Sequence, residues 1–169
     1  MHKRLSWLSA SLVLALSIAV TPSPADEEKV PLDKVPKAVL ETVKARFKGA
    51  DLTGATKEKE GDKTVYEVTI KFNEHKIDVT VTPEGDLVLI EKQIAAKDLP
   101  KAVAKALEEK YPKATYKIVE EIIKVEQKKE KLTHYEVLLV TADRKGLEVQ
   151  LAPDGKILKE EKKSAEKDE

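Results

Sequence analysis

Cysteine is absent from the 169 residues, so no disulfide, thiol nucleophile or cysteine-bound zinc can contribute to fold or chemistry. Histidine is nearly absent too, with His2, His75 and His134 the full complement. Aromatic residues amount to 4%, so any core must be aliphatic. Net charge is also missing: 31 Lys and Arg balance 31 Asp and Glu, mixed along the chain. A nucleic-acid binder needs a basic face from which counterions are released, and this chain has no such bias. Glycine-rich phosphate loops and nucleophile elbows are missing, and the serines cluster in the first 25 residues, apart from Ser164 near the end. An enzyme would have to work with scattered Asp, Glu, Lys or Tyr, so the sequence points to a protein that is not an enzyme, with no catalytic residues, cofactor-binding residues or metal ligands to assign.

What is present is 41% hydrophobic and 37% charged residues, enough for a thin core under a densely ionic surface. The chain opens with Lys3 and Arg4, continues through an apolar run from Leu5 to Val20, and reaches Thr21-Pro-Ser-Pro-Ala25 before Asp26-Glu-Glu28. Ser23 and Ala25 stand at the two positions a signal peptidase reads, so residues 1–25 are expected to be an export signal cleaved after Ala25. The apolar run is shorter than the roughly 20 residues needed to span a bilayer, and prolines end it. Cleavage would remove His2 and Trp7 and leave 29 basic against 31 acidic residues. An exported chain without cysteine suits bacterial secretion, periplasmic or extracellular, with no stable membrane insertion after cleavage.

The strongest internal signal is repetition. Val35-Pro-Lys-Ala-Val-Leu-Glu-Thr-Val-Lys-Ala-Arg-Phe47 matches Leu99-Pro-Lys-Ala-Val-Ala-Lys-Ala-Leu-Glu-Glu-Lys-Tyr111 at an offset of 64. Tyr66-Glu-Val68 matches Tyr135-Glu-Val137 at 69, and Val79-Thr-Val-Thr-Pro-Glu-Gly85 matches Val149-Gln-Leu-Ala-Pro-Asp-Gly155 at 70. The drift places about six extra residues in the second copy, between Ile118 and Lys131. The expected organisation is a first unit over 26–94, a second over 95–162, and a disordered charged tail over 163–169, the lack of structure starting as early as Lys159.

Each unit opens on an amphipathic helix, with Val35, Val39, Val43 and Phe47 spaced by four and Leu99, Val103, Leu107 and Tyr111 in the same places. Asp33 and Asp98 are the expected N-caps, with Pro36 and Pro100 in the first turn. The period then changes to two, marking half-buried strands: Tyr66, Val68 and Ile70 alternate with Glu67, Thr69 and Lys71, then Ile77, Val79 and Val81, and in the second unit Tyr135, Val137 and Leu139, then Leu147, Val149 and Leu151. Pro83-Glu-Gly-Asp86 and Pro153-Asp-Gly-Lys156 turn into final strands at Leu87–Ile90 and Ile157–Lys159, and an earlier strand is expected at Leu52–Lys59 and at Thr115–Gln127. The fold class is α+β: two tandem repeats, each an N-terminal helix packed on a three- to four-stranded antiparallel sheet. Units this small bury little surface alone, so the two copies are expected to share an interface.

These residues resemble the PepSY and PepSY-like domains, small exported bacterial modules similar in architecture to the tandem-repeat beta-lactamase inhibitor proteins. The resemblance covers Leu32 to Lys92 and Ala96 to Lys162 and rests on the helix starts Val35 to Val39 and Leu99 to Val103, on Tyr111-Pro-Lys-Ala114, on the Tyr-Glu-Val strands, and on the turns before Leu87-Val88 and Ile157-Leu158. Phe47-Lys-Gly-Ala50 departs from the pattern by lacking the proline. The resemblance implies a helix on one face of an antiparallel sheet, a role in binding or in inhibiting or regulating a peptidase or other exported enzyme, and no catalytic residues to carry over.

Other candidates read as ordinary structure. His75, at a hairpin tip, and His134, opening a strand, occupy inequivalent repeat positions and read as surface residues. The acidic turns at Glu84 and Asp86 and at Asp154 invite a calcium reading, the alternative being a cation- or small-ligand-responsive envelope sensor or buffer, but the twelve-residue ligand pattern is missing and turn chemistry accounts for Gly85 and Gly155. The charged segment Glu120–Lys131 reads as a solvated hairpin, with a partner-binding protrusion as the rival. Leu138 and Val140 are apolar where Thr69 and Lys71 stand in the first copy, marking either the contact between copies or a partner patch. Phe47, Tyr66, Tyr111 and Tyr135 read as core.

Overall fold

The structure is a computed structural model that describes residues 27–163; the segment read as an export signal and tail residues 164–169 lie outside them. In chain order the elements are β1 (Glu28–Lys29), a 3-10 turn (Leu32–Lys34), α1 (Lys37–Arg46), β2 (Asp51–Glu60), β3 (Lys63–Phe72), β4 (His75–Val81), β5 (Leu87–Gln93), a second 3-10 turn (Ala96–Asp98), α2 (Lys101–Lys110), β6 (Thr115–Glu126), β7 (Lys129–Val140), β8 (Gly146–Leu151) and β9 (Ile157–Lys163). Among the described residues no helix is long and apolar enough to cross a membrane.

Both helices start where proline dictates. Val35 and Leu99 are held extended, as residues before proline must be, and Pro36 and Pro100 are themselves the N-caps with ψ of 138° and 142°. Asp33 and Asp98 are therefore not the caps expected from the sequence; they sit in the preceding 3-10 turns. The helices close alike, with the Phe47 amide donating to Val43 O and the Tyr111 amide to Leu107 O, followed by a left-handed residue at Gly49 (φ 85°) and Lys113 (φ 63°). The proline missing from the first loop makes no difference to this turn.

The strands form a single antiparallel meander in the order β1 to β9. The two sheets are joined because β5 of the first unit pairs with β6 of the second, from Leu89 opposite Lys124 to Gln93 opposite Glu120. Residues directly opposite in a ladder point to the same face. One such row, Ile77–Lys92–Glu121–Tyr135–Leu151, crosses both units, so their core sides share a face. On that face Val39, Val43 and Phe47 pack with Val68, Ile70, Val79 and Ile90. Val103 and Leu107 pack with Val119, Val137, Leu139, Val149 and Leu151 in the second core. Phe47 and Tyr135 are buried and Tyr66 and Tyr111 pack against the clusters, as their repeat positions imply.

The extra residues of the second unit lengthen the β6–β7 hairpin. Its arms have twelve residues each where those of β2–β3 have ten, and it carries a bulge between Ile122 and Ile123 that the first hairpin lacks. The last strand is also longer than its composition suggests: β9 runs to Lys163, because Lys163, Lys162, Glu161, Glu160 and Lys159 all find ladder partners on β8. Residues 159–163 are therefore strand, not disordered tail.

Candidate functional site

With both helices on one side, the other face of the sheet is left uncovered by any helix among the described residues. Two ladder rows define it. Gly54–Thr69–Asp78–Glu91–Ile122–His134 runs from β2 to β7, and Gln93–Glu120–Glu136–Gln150–Lys159 runs from β5 to β9. Asp78 faces Glu91 and Glu120 faces Glu136, like charges directly opposite, an arrangement that destabilises a sheet unless protons or cations compensate it.

Some of these carboxylates have partners. Asp78, only 8% exposed, accepts from Thr69 Oγ1 at 2.6 Å and from Lys76 Nζ at 2.6 Å. Glu136 accepts from Gln150 Nε2 at 3.0 Å, and Glu148 pairs with Lys163 at 2.8 Å. Burial lifts the Glu67 carboxyl to about 7, helped by the charge of Asp78. Glu91 is pushed to about 8, first by burial and then by Glu67, Glu120, Glu136 and Asp78. Burial and the neighbouring Glu148 raise Glu136 to about 7, against the opposing bond from Gln150. Glu120 is raised as well, by burial and then Asp78. The face thus holds half-buried carboxyls on both sides of the junction between units, whose burial and mutual repulsion hold their protons to higher pH than usual.

Near the β6–β7–β8 end the same face turns apolar. Ile118, 37% exposed, stands opposite Leu138, and Val140 is one ladder step further on the same side. Leu138 and Val140 are therefore not the contact between copies, which is made by β5 and β6; they lie on the uncovered face, where repeat one has Thr69 and Lys71. Glu67, Thr69 and Lys71 lie on this face, as their alternation requires.

The histidines are separated. His75 belongs to the helix side by its register, with Nδ1 2.8 Å from Gln93 O. His134 lies on the uncovered face, with Nδ1 2.9 Å from Thr133 Oγ1, and burial lowers its basicity, assisted by Lys124. Among the described residues no three His, Cys, Asp or Glu side chains are grouped as metal ligands. Glu84, Asp86 and Asp154 are exposed around turns closed by the amides of Gly85 and Gly155.

The Glu120–Lys131 segment does not project freely. Ile123 and Val125 pack against the first unit's core, and the Arg46 guanidinium makes a two-pronged pair with Glu130 at 2.6 and 2.8 Å. Between α1, the β4–β5 turn and this hairpin lies an open groove of about 580 Å³, with Thr42, Arg46, Asp86, Val88 and Lys128 along its walls. Glu91, Glu120 and Glu136 escaped the sequence reading. Their proximity on one face exists only through the β5–β6 pairing, which no periodicity within a unit reports.

Residues 25–90 and 78–159 match the family model described as "Putative beta-lactamase-inhibitor-like, PepSY-like", the two matches overlapping on β4 and β5. No curated protein matches the sequence. Solved structures share the fold at low identity. A BLIP-like protein from Bacteroides fragilis is 17% identical, with 79% of this chain and 89% of that one covered and a TM-score of 0.58. DUF2874 family proteins from Bacteroides uniformis and Bacteroides ovatus are 16% and 15% identical, with 75% of this chain and 88% and 86% of theirs covered, at TM-scores of 0.61 and 0.59.

Proposed function

Because the chain belongs to the PepSY-like family, we propose that it is an exported, non-catalytic binding module of the bacterial envelope whose partner surface is the uncovered face of the nine-stranded sheet. The observation that carries this reading is the placement of both helices on one side of a continuous sheet, with no helix among the described residues on the opposite face of either unit. That face joins an apolar patch at Ile118, Leu138 and Val140 to a field of half-buried carboxyls, the mixture of anchor and polar surround that protein interfaces use. The partner class that fits the family is an exported peptidase or another envelope enzyme, held by steric occlusion without chemistry on the inhibitor's side.

The test is affinity capture from a bacterial envelope extract by residues 26–169, beside a Leu138→Ser/Val140→Ser variant and a Glu41→Lys control on the exposed side of α1. The reading expects a protein retained by the wild type and the control and lost from the double variant, with circular dichroism unchanged. Equal retention by all three would overturn the choice of face. A retained peptidase then goes into an inhibition assay, and an unchanged rate would remove inhibition from the proposal while leaving binding.

A further inference from the structure

Three turns of the sheet close with the same two backbone hydrogen bonds. The Thr82, Thr141 and Ala152 amides donate to Asp86 O, Lys145 O and Lys156 O, each at 2.9 Å. The Gly85, Arg144 and Gly155 amides donate back to Thr82 O, Thr141 O and Ala152 O at 2.9, 2.9 and 2.8 Å. The residue that donates back is left-handed in each turn, with φ of 96° at Gly85, 62° at Arg144 and 88° at Gly155. That backbone favours glycine, so the turn between β7 and β8 gains nothing from the arginine it carries. Five other non-glycine residues are left-handed among the described residues, so conformation alone does not single Arg144 out.

Its guanidinium does. The chain has 28 lysines against three arginines, Arg4, Arg46 and Arg144. An arginine fork holds a carboxylate by two parallel bonds, which an ammonium cannot do. Arg46 uses its fork in that way on Glu130. Arg144 is exposed and makes no hydrogen bond or ion pair through its side chain. The neighbouring Asp143 is taken by Lys145 Nζ at 2.6 Å and by the Thr141 hydroxyl at 2.5 Å, and the Lys145 amide donates to Thr141 Oγ1 at 3.0 Å. The turn is thus fixed from within and leaves its arginine unpaired. It follows Val140 directly. Thr115, Val140, Gly146 and Lys163 form the last ladder row of β6 to β9, on the uncovered face beside Ile118 and Leu138. At or beyond that row stand Lys113, Arg144, Lys145 and Lys163, against Asp143 as the single acid among the described residues. The apolar patch is therefore bordered by positive charge.

We propose that Arg144 is the charged anchor of the partner surface, receiving a carboxylate of a bound polypeptide whose aliphatic side chains rest on Ile118, Leu138 and Val140. Arginine beside a small apolar patch is a combination that concentrates binding energy at protein interfaces. The inference rests on the reading of the uncovered face as the partner surface and adds the partner's chemistry, an acidic and aliphatic segment.

The probe is a capped six-residue peptide of alternating leucine and aspartate, titrated into isotope-labelled residues 26–169 and followed by NMR beside peptides with serine or lysine in place of aspartate. The aspartate peptide is expected to shift the Leu138, Val140 and Arg144 resonances and to bind at least about tenfold more tightly than either control. Arg144→Gly is expected to weaken that binding by at least about tenfold while keeping or raising Tm, because glycine suits the turn. Arg144→Lys, which keeps the charge and loses the fork, should fall between. No shift at millimolar peptide, equal binding of the controls, an affinity unmoved by Arg144→Gly or a Tm lowered by it would each overturn the proposal. If Leu138→Ser/Val140→Ser loses the peptide and Arg144→Gly retains it, the anchor fails and the face stands; retention by both variants removes the face as well. Two other occupants would also overturn it. Phosphatidylglycerol vesicles bound by the wild type and not by Arg144→Gly would assign the site to an anionic lipid surface, and tighter peptide binding after Glu166→Gln/Asp168→Asn/Glu169→Gln would assign it to the chain's own tail.

Discussion

A Cβ placed on Gly155 would lie 2.5 Å from the carbonyl oxygen of Ala102, so the turn between β8 and β9 is seated directly on the first turn of α2. The first unit repeats the contact less tightly, with a Cβ on Gly85 3.1 Å from Ala38 O and the Thr42 hydroxyl donating to Gly85 O at 2.7 Å. Both glycines have φ near +90°, and both also leave the room that lets helix and turn touch. Gly155→Ala is expected to cost about 1–3 kcal/mol and Gly85→Ala less, measured by urea unfolding. Equal costs would mean that backbone conformation alone, without the close approach, sets the penalty.

The pH dependence of stability follows from the half-buried carboxyls of the uncovered face. Glu67, Glu91 and Glu136 titrate in the folded state near 7, 8 and 7 against an ordinary 4.5, so the folded protein holds protons that the unfolded chain releases. Their contribution is fully present below about pH 4.5 and is lost as pH rises toward 8. Glu130, Glu160 and Glu161, lowered first by their bonds to Arg46, Lys110 and Lys159, act oppositely and lose their contribution in acid. Calorimetry is expected to place the highest Tm near about pH 5 with a decline toward pH 8. Glu91→Gln should flatten that decline, and a Tm that rises steadily from pH 5 to 8 would contradict the burial of these groups.

Removing Leu107, which is fully buried where α2 meets β7 and β8, is expected to cost about 2–5 kcal/mol as Leu107→Ala. Lys105→Ala, on the exposed side of the same helix and paired with Glu109 at 3.7 Å, should change stability by less than about 0.5 kcal/mol. Chemical denaturation of the two variants checks the contrast.

The long hairpin is held over the first unit by apolar packing more than by its ion pair. Arg46 and Glu130 are 43% and 35% exposed, so Glu130→Ala is expected to cost no more than about 1 kcal/mol and to lose part of that cost in high salt. Val125→Ala, which opens the contact with the first core, should cost a similar amount or more and be insensitive to salt. A salt-dependent loss for Val125→Ala would reverse this assignment.

The sequence by itself determined the units. Spacings of four from Val35 to Phe47 and of two from Tyr66 to Ile70, repeated 64 to 70 residues later, state which residues enter a core, because local periodicity must match the geometry of the element that buries it. The same local reading placed Glu67 and Thr69 on the face opposite the helix. It missed the caps, since Asp33 and Asp98 have capping chemistry but the prolines two and three residues on hold the backbone extended until Pro36 and Pro100. It also missed the end of β9, whose Lys and Glu residues look like tail until β8 supplies ladder partners. Only the tertiary structure decided that β5 pairs with β6. That pairing joins two units into one sheet, sets Glu91 and Glu136 in a common field, and leaves Leu138 and Val140 on an open face. Strand pairing between units depends on which edges meet, and a residue's pattern along its own strand reports which face it occupies but not what lies beside it.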